Sequence, residues 1–371
     1  MPTPLEEVLF EQIEAGGPIR LDHYMDLCLS HPEHGYYAQH QAIGGAQDSD
    51  KPGDFITAPE VSQMFGEMLA VWVVSTWSAL GSPGQLNLIE LGPGRGTLMA
   101  DMLSVLKNQS ELMAGLNLYV VDVNAQRWQE KLGDYQVKRI DTLEDLDNQS
   151  PTIVVGNEFL DALPIRQFLR MGEVQEGAEK AQPSWAETYV YHHKDEGPGK
   201  GPGHLALCQS LAALPGGLKV ADDIEVFELN SQASRWADQI AARIKACGGA
   251  GLFIDYGYYH APGQSTLQAL RQHLSVDPLS TPGEADITAL VDFSMLKAAA
   301  TAGGCVVSDI VPQADFLRAL GIDQRSADLA RANPERAVEL GQQLHRLTAD
   351  DQMGQLFKAF SFWSLPKPPV E

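Results

Sequence analysis

One stretch limits what this chain can fold into. It reads Leu86-Asn87-Leu88-Ile89-Glu90-Leu91-Gly92-Pro93-Gly94-Arg95-Gly96-Thr97-Leu98-Met99. An apolar run ends in an acid, glycines follow at alternate positions, and a helical pattern starts at Thr97. That is a strand, a tight turn and a helix start. Glycine suits such a turn because the backbone there approaches a ligand closely and takes positive φ. The expected fold is α/β, with a Rossmann-like, doubly wound, mostly parallel sheet whose ligand sits at the strand ends.

The spacing narrows the ligand. A phosphate-binding P-loop needs Gly-Lys-Ser/Thr at the end of the turn, and Gly96-Thr97-Leu98 does not supply it. A dinucleotide fingerprint places its third glycine one position later than Gly96. The pattern acid-x-Gly-x-Gly-x-Gly resembles the first motif of class I S-adenosylmethionine (SAM) methyltransferases. SAM carries an ammonium, a carboxylate and a sulfonium, and no phosphate. Glu90 suits the cationic amino-acid end, and the helix N-terminus after Gly96 suits the carboxylate. Judged on this turn alone, glycines kept only for packing remain an alternative.

Composition excludes some partners. With 371 residues and 44% hydrophobic content the chain buries a large core and exceeds one minimal domain. Its 49 acids against 26 bases give a formal charge of −23, which disfavours a nucleic-acid substrate. That charge suits a basic peptide partner, or serves only solubility. Cys28, Cys208, Cys247 and Cys305 are scattered and suggest neither a zinc site nor a disulfide framework. The acidic start Met1-Pro2-Thr3-Pro4-Leu5-Glu6-Glu7 shows no presequence pattern, and no run is apolar enough to cross a bilayer.

Residues 4–28 read as two helices, and 41–52 as a mobile Gly- and Asp-rich loop. His31 and His34 suit loop packing better than a metal site, because no third ligand is near. The helix after Pro59 is apolar almost all round and therefore buried. A second strand over 118–123 carries Asp122 where doubly wound folds place a carboxylate on ribose hydroxyls. A third over 137–140 leads to Asp141, a candidate for the adenine amine. The fourth, 152–156, leads to Asn157-Glu158-Phe159-Leu160-Asp161-Ala162-Leu163-Pro164 at the ligand edge. A β insertion, a helix over 231–247 and a fifth strand over 252–259 follow. Residues 266–273 read as helix, 281–288 as a helix-entry loop and 306–310 as a sixth strand. The run 357–363 suits either core or a homodimer interface. The expected division is an N-terminal helical region (1–84), a SAM-binding half of the core (85–170), a β insertion (171–223) and a second core half (224–371) with a helical lid near 312–350.

Several ordered blocks carry a family resemblance. Gly53-Asp54-Phe55-Ile56-Thr57-Ala58-Pro59-Glu60, Leu91 to Leu98, Asn157 to Pro164, Asp255-Tyr256-Gly257 and Pro282-Gly283-Glu284-Ala285-Asp286-Ile287-Thr288 resemble the MidA family of SAM-dependent methyltransferases, as does His31-Pro32-Glu33-His34-Gly35-Tyr36-Tyr37. The resemblance spans nearly the whole chain. It implies the activity of the family's mitochondrial members, protein arginine methylation in respiratory complex I assembly. One departure is Asp122, where the family is expected to carry glutamate; the carboxylate stays, on a shorter reach. The missing presequence pattern suggests a bacterial, cytoplasmic member.

Methyl transfer is an in-line displacement that needs the nucleophile held against the methyl. An arginine is cationic and a poor nucleophile, so carboxylates must orient it and take its proton. Glu158 and Asp161 are the first candidates, with Asn157 as an amide alternative. Asp54, Glu60, Asp255 and Tyr256 are placed on the substrate side. The cofactor set is Glu90, Gly92, Gly94, Gly96, Thr97, Asp122, Asp141 and Asn157, with no metal. Two other functions stay open: a SAM-binding assembly factor without turnover, and a Rossmann oxidoreductase.

Overall fold

The structure is a computed structural model that describes residues 2–39, 57–122, 128–146, 149–172, 184–195 and 203–364. The chain divides into two compact units, each gathered from separate segments: Met1–Ala42, Ala162–Ala233 and His260–Asp292 in one, Ile43–Asp161, Ser234–Tyr259 and Phe293–Glu371 in the other.

The second unit holds the sheet expected from the glycine turn. Its strands are β1 (Leu86–Leu91), β2 (Leu116–Val121), β3 (Val137–Arg139), β4 (Thr152–Asn157), β5 (Gly249–Tyr258), β6 (Val306–Val307), β7 (Val311–Pro312) and β8 (Phe357–Ser364). Seven of them run in the order β6-β8-β5-β4-β1-β2-β3, and β7 pairs with β8 off that path. β5, β4, β1, β2 and β3 are mutually parallel, and β8 is antiparallel to β5. β1 and β4 are buried along their whole length, as strands covered on both faces must be. The strand order reverses between β1 and β4, so the ligand crevice opens at their C-terminal ends.

Helix Gln63–Ala79 packs on helix Thr97–Leu106 so closely that a Cβ on Gly66 would lie 2.5 Å from Asp101 Cβ. Residues 64–70 are buried without a break, whereas beyond them Val71 faces out and only Val73 and Trp77 are buried, so the expected all-round burial holds for the first half of the helix and one face of the rest. Phe360 and Phe362 of β8 are buried, which makes the run 357–363 core in this chain. The expected sixth strand is split into β6 and β7, and Ser308 between them hydrogen-bonds Ser361 of β8.

The first unit is mostly antiparallel. Ser184–His193 pairs with Ile19–Arg20, with Arg166–Met171 and along its length with His204–Ala212, and Val226–Leu229 pairs with Arg166–Met171. The helices expected over 4–28 are Pro4–Gly16 and Leu21–Ser30. One expectation fails here. Residues 266–273 are not helical: Gln268–Arg271 and Leu274–Val276 form a hairpin, and Asp286–Thr288 joins it as a third strand. The hairpin turns at Gln272 and His273, with φ of 52° and 62°, a two-residue geometry that Asn-Gly usually signals and these residues conceal. His31 Nδ1 accepts the N–H groups of Glu33 and His34, so it closes its own turn. The loop expected over 41–52 lies outside the described residues.

Candidate active site

Two strand-end loops of the second unit meet at the crevice. In the first, β1 runs into the glycine turn. Gly92 N–H donates to Val121 O at 2.9 Å and Gly96 N–H to Pro93 O at 2.7 Å. Gly92, Gly94 and Gly96 have φ of 65°, 53° and 76°. A side chain at Gly92 would also put its Cβ 2.9 Å from the Phe159 ring, so both conformation and space require glycine. Helix Thr97–Leu106 then begins without a side-chain cap from Gly96. The Met99 N–H is met instead by the buried carboxyl of Glu90.

That carboxyl is only half engaged, because its Oε2 is buried with no hydrogen-bond partner. Burial pushes Glu90 up to about 8 against the Met99 N–H, and the negative charges of Asp122 and Asp101 add to the rise. Asp122 follows β2, and its carbonyl accepts from Arg139 Nε at 2.8 Å. Asp141 follows β3 and pairs with Arg139 at 2.7 Å. At the helix start, Thr97 Oγ1 donates to Glu60 Oε1 and accepts from Lys131 Nζ, each at 2.5 Å.

The second loop follows β4 and owes little to local sequence. Glu158 has φ of 49°, a left-handed conformation that costs a non-glycine residue about 1 kcal/mol. Distant groups hold it there. Its N–H donates to Ile254 O at 2.9 Å, and its Oε1 accepts from Ala58 N–H at 2.7 Å and Asn157 Nδ2 at 3.1 Å. Burial pushes its carboxyl up to about 7; Ala58 N–H opposes this, the Asp161 charge adds to it and the Arg346 charge opposes it.

Asp255, at the end of β5, organises this loop. Its Oδ2 accepts the N–H groups of Phe159, Leu160 and Asp161 at 3.1, 2.8 and 3.4 Å, and its Oδ1 that of Tyr256 at 2.8 Å. Burial, and then the charge of Asp161, raises its carboxyl well above the usual range.

The structure therefore gathers Glu90, Gly92, Gly94, Gly96 and Thr97 in one cradle and Asn157, Glu158, Asp161, Asp255 and Tyr256 in one corner. Phe159 lies against Gly92 and joins the two. Asp255, expected on the substrate side, has its carboxylate turned to backbone N–H groups. Glu60, also expected there, is tied to the cofactor helix. Asp54 lies outside the described residues. Sequence reasoning missed Lys131 and Arg346, which reach Thr97 and Glu158 from distant segments without any local motif. Among the described residues no group of three or more His, Cys, Asp or Glu is arranged to hold a metal.

The profile of a family described as S-adenosyl-L-methionine-dependent methyltransferases matches residues 68–311. The chain belongs to that family, the MidA methyltransferases. The mitochondrial protein arginine methyltransferase NDUFAF7 of Xenopus tropicalis is 33% identical, covering 96% of this chain and 85% of that protein. Its Caenorhabditis elegans homologue is 32% identical, covering 97% and 86%. A Burkholderia thailandensis structure bound to S-adenosylhomocysteine matches with a TM-score of 0.79 and 27% identity, over 98% of this chain and 95% of that one. The curated relatives are named as mitochondrial, which overturns the expectation of a cytoplasmic member drawn from the missing presequence pattern.

The methyltransferase's own residues fit its cofactor. A buried acid with one unpartnered oxygen, next to a glycine cradle and a helix N-terminus, accommodates an ammonium and a carboxylate side by side. The buried Asn157 Oδ1 is a second acceptor with no protein partner.

Proposed function

We propose that this methyltransferase modifies an arginine side chain of a basic protein, a subunit of the respiratory complex I type, and that Glu158 and Asp161 receive the guanidinium. The observation that carries this reading is the corner itself. It puts a partly buried carboxyl raised to about 7 beside a second acid, with Asp255 fixing the loop that carries both. The arginine methyltransferase activity for which the NDUFAF7 relatives are named and the charge of −23 support it.

In this proposal Glu90 and the Gly92–Thr97 turn hold the amino-acid end of SAM, Asp122 meets the ribose and Asp141 the adenine. SAM supplies a methyl on a sulfonium: the C–S bond breaks as the N–C bond forms, and the sulfur leaves as a thioether. The two carboxylates grip the guanidinium and turn one nitrogen toward that methyl. Glu158, ionised in about half of molecules at neutral pH by its raised value, takes the proton that the nitrogen loses. Asp255 acts as a positioning residue, because its contacts are to the loop.

Incubation with radiolabelled methyl-SAM and isolated complex I subunits tests the acceptor. The expected product is label in methylarginine after acid hydrolysis. Label in lysine or a carboxyl ester, or cofactor binding with no transfer, would overturn the reading; the last outcome would favour an assembly factor without turnover.

A further inference from the structure

The cradle and the corner are joined by a second route, one helical turn. Ala58–Val61 starts with the Ala58 N–H that donates to Glu158. Two residues on, Glu60 accepts from the Thr97 hydroxyl, which in turn accepts from Lys131. A threonine hydroxyl has one proton to give, so this chain has a single direction: Lys131 N–H to Thr97 oxygen, Thr97 O–H to Glu60 carboxylate. The Glu60 side chain is 12% exposed and Lys131 Nζ lies 4.0 Å from it, so the two charges close the chain at both ends. Lys131 also holds down the carboxyl of Asp101, one turn along the cofactor helix, which burial, with the charges of Glu67 and Glu60, raises to about 6.

We propose that Lys131 and Glu60 are positioning residues that fix the start of the cofactor helix and couple cofactor binding to the Ala58–Val61 turn, and so to the N–H that Glu158 accepts. Locking the Thr97 rotamer sets the direction of the helix N-terminus before the cofactor arrives. The same tie carries any ordering of that N-terminus to the turn. The proposal rests on the cofactor cradle and not on the identity of the acceptor.

The test titrates the full chain with S-adenosylhomocysteine calorimetrically and follows amide exchange over residues 57–62 with and without it. In the parent, binding slows that exchange. Lys131→Met and Glu60→Ala are expected to bind about tenfold more weakly, one charge-assisted hydrogen bond lost, and to show no slowing. Lys131→Arg and Glu60→Gln restore a donor and an acceptor and are expected within about threefold of the parent, with slowing retained. A role in stability alone would lower the melting temperature of the unliganded variants and leave affinity and the exchange response unchanged. That outcome overturns the proposal, as does weaker binding with the exchange response intact. Should either first variant fold poorly, Thr97→Val against Thr97→Ser poses the same question at the central hydroxyl. Neither readout uses an acceptor, so failed methyl transfer to arginine leaves this result standing.

Discussion

The two loops that end β1 and β4 lie side by side in one sheet, yet they are built in opposite ways. The glycine cradle is made by local backbone: alternate glycines with positive φ, an acid just before them and a helix just after. The carboxylate corner is made by long-range bonds: Asp255 and Ala58 reach Leu160 and Glu158 across sequence separations of 95 and 100. The first leaves a polar atom of Glu90 without a partner; the second saturates Asp255 with backbone N–H groups and keeps one open acceptor, Asn157 Oδ1, at its edge. A surface prepared for a ligand keeps unsatisfied groups. A surface prepared to hold its own geometry uses them up.

If the corner does the chemistry and the cradle the binding, substitutions should separate cleanly. The largest effect is expected from Glu158→Gln, which keeps the acceptor toward Ala58 and removes the base. Turnover should fall about 100- to 10,000-fold, with affinity for S-adenosylhomocysteine unchanged. In the parent, kcat should rise with pH and level off above about 7, where Glu158 is ionised. The residual rate of the variant should lack that inflection. A parent-like rate would move the base elsewhere in the corner.

The next largest effect is expected in the cradle. Gly94 has φ of 53°, and a β-branched side chain does not adopt that conformation without strain. Gly94→Val is expected to weaken S-adenosylhomocysteine binding at least about 100-fold by calorimetry, while thermal stability falls by a smaller margin. Equal heats from both proteins would remove the cofactor from this turn.

The same contrast explains what could be read from the sequence. The first parallel strand, the helix at Thr97 and the acid Glu90 are legible because the motif is contiguous and its spacing is set by backbone chemistry. The block Asn157 to Asp161 could be placed at the ligand edge, but not the role of Asp255, whose partners are fixed only when β5 lies beside β4. Glu60 was assigned to the substrate because nothing local announces a tie to Thr97. The 268–276 hairpin was missed because Gln272 and His273 turn without glycine, held by the surrounding sheet and not by their own preference.

Glu90 offers a finer test, since its missing partner is a charge. Raised to about 8, it is mostly protonated at neutral pH, and an ammonium beside Oε2 would ionise it. Binding S-adenosylhomocysteine at pH 7 should then release close to one proton, read from calorimetry in buffers of different ionisation enthalpy. Glu90→Gln should bind about tenfold more weakly and release none. Proton uptake by the parent would contradict the pairing.

The smallest effect expected is on stability, and the pH at which it ends discriminates between the two loops. Glu90 and Glu158 both titrate above the ordinary 4.5, so between that value and their own the folded chain holds protons the unfolded chain has released. Their contribution is therefore fully present below about pH 4.5 and is lost as pH rises through about 7 for Glu158 and about 8 for Glu90. Melting temperature should fall by a few degrees from about pH 5 to about pH 8. Both shares begin at about 4.5, so Glu158→Gln should make the fall shallower up to about 7 and leave it running on to about 8, whereas Glu90→Gln should make it shallower throughout and remove the part between about 7 and 8. Saturating S-adenosylhomocysteine should act as Glu90→Gln does, because its ammonium compensates Glu90 and leaves Glu158 as it was. If ligand acted as Glu158→Gln does instead, the ammonium would belong in the corner, and the roles of the two loops would be exchanged.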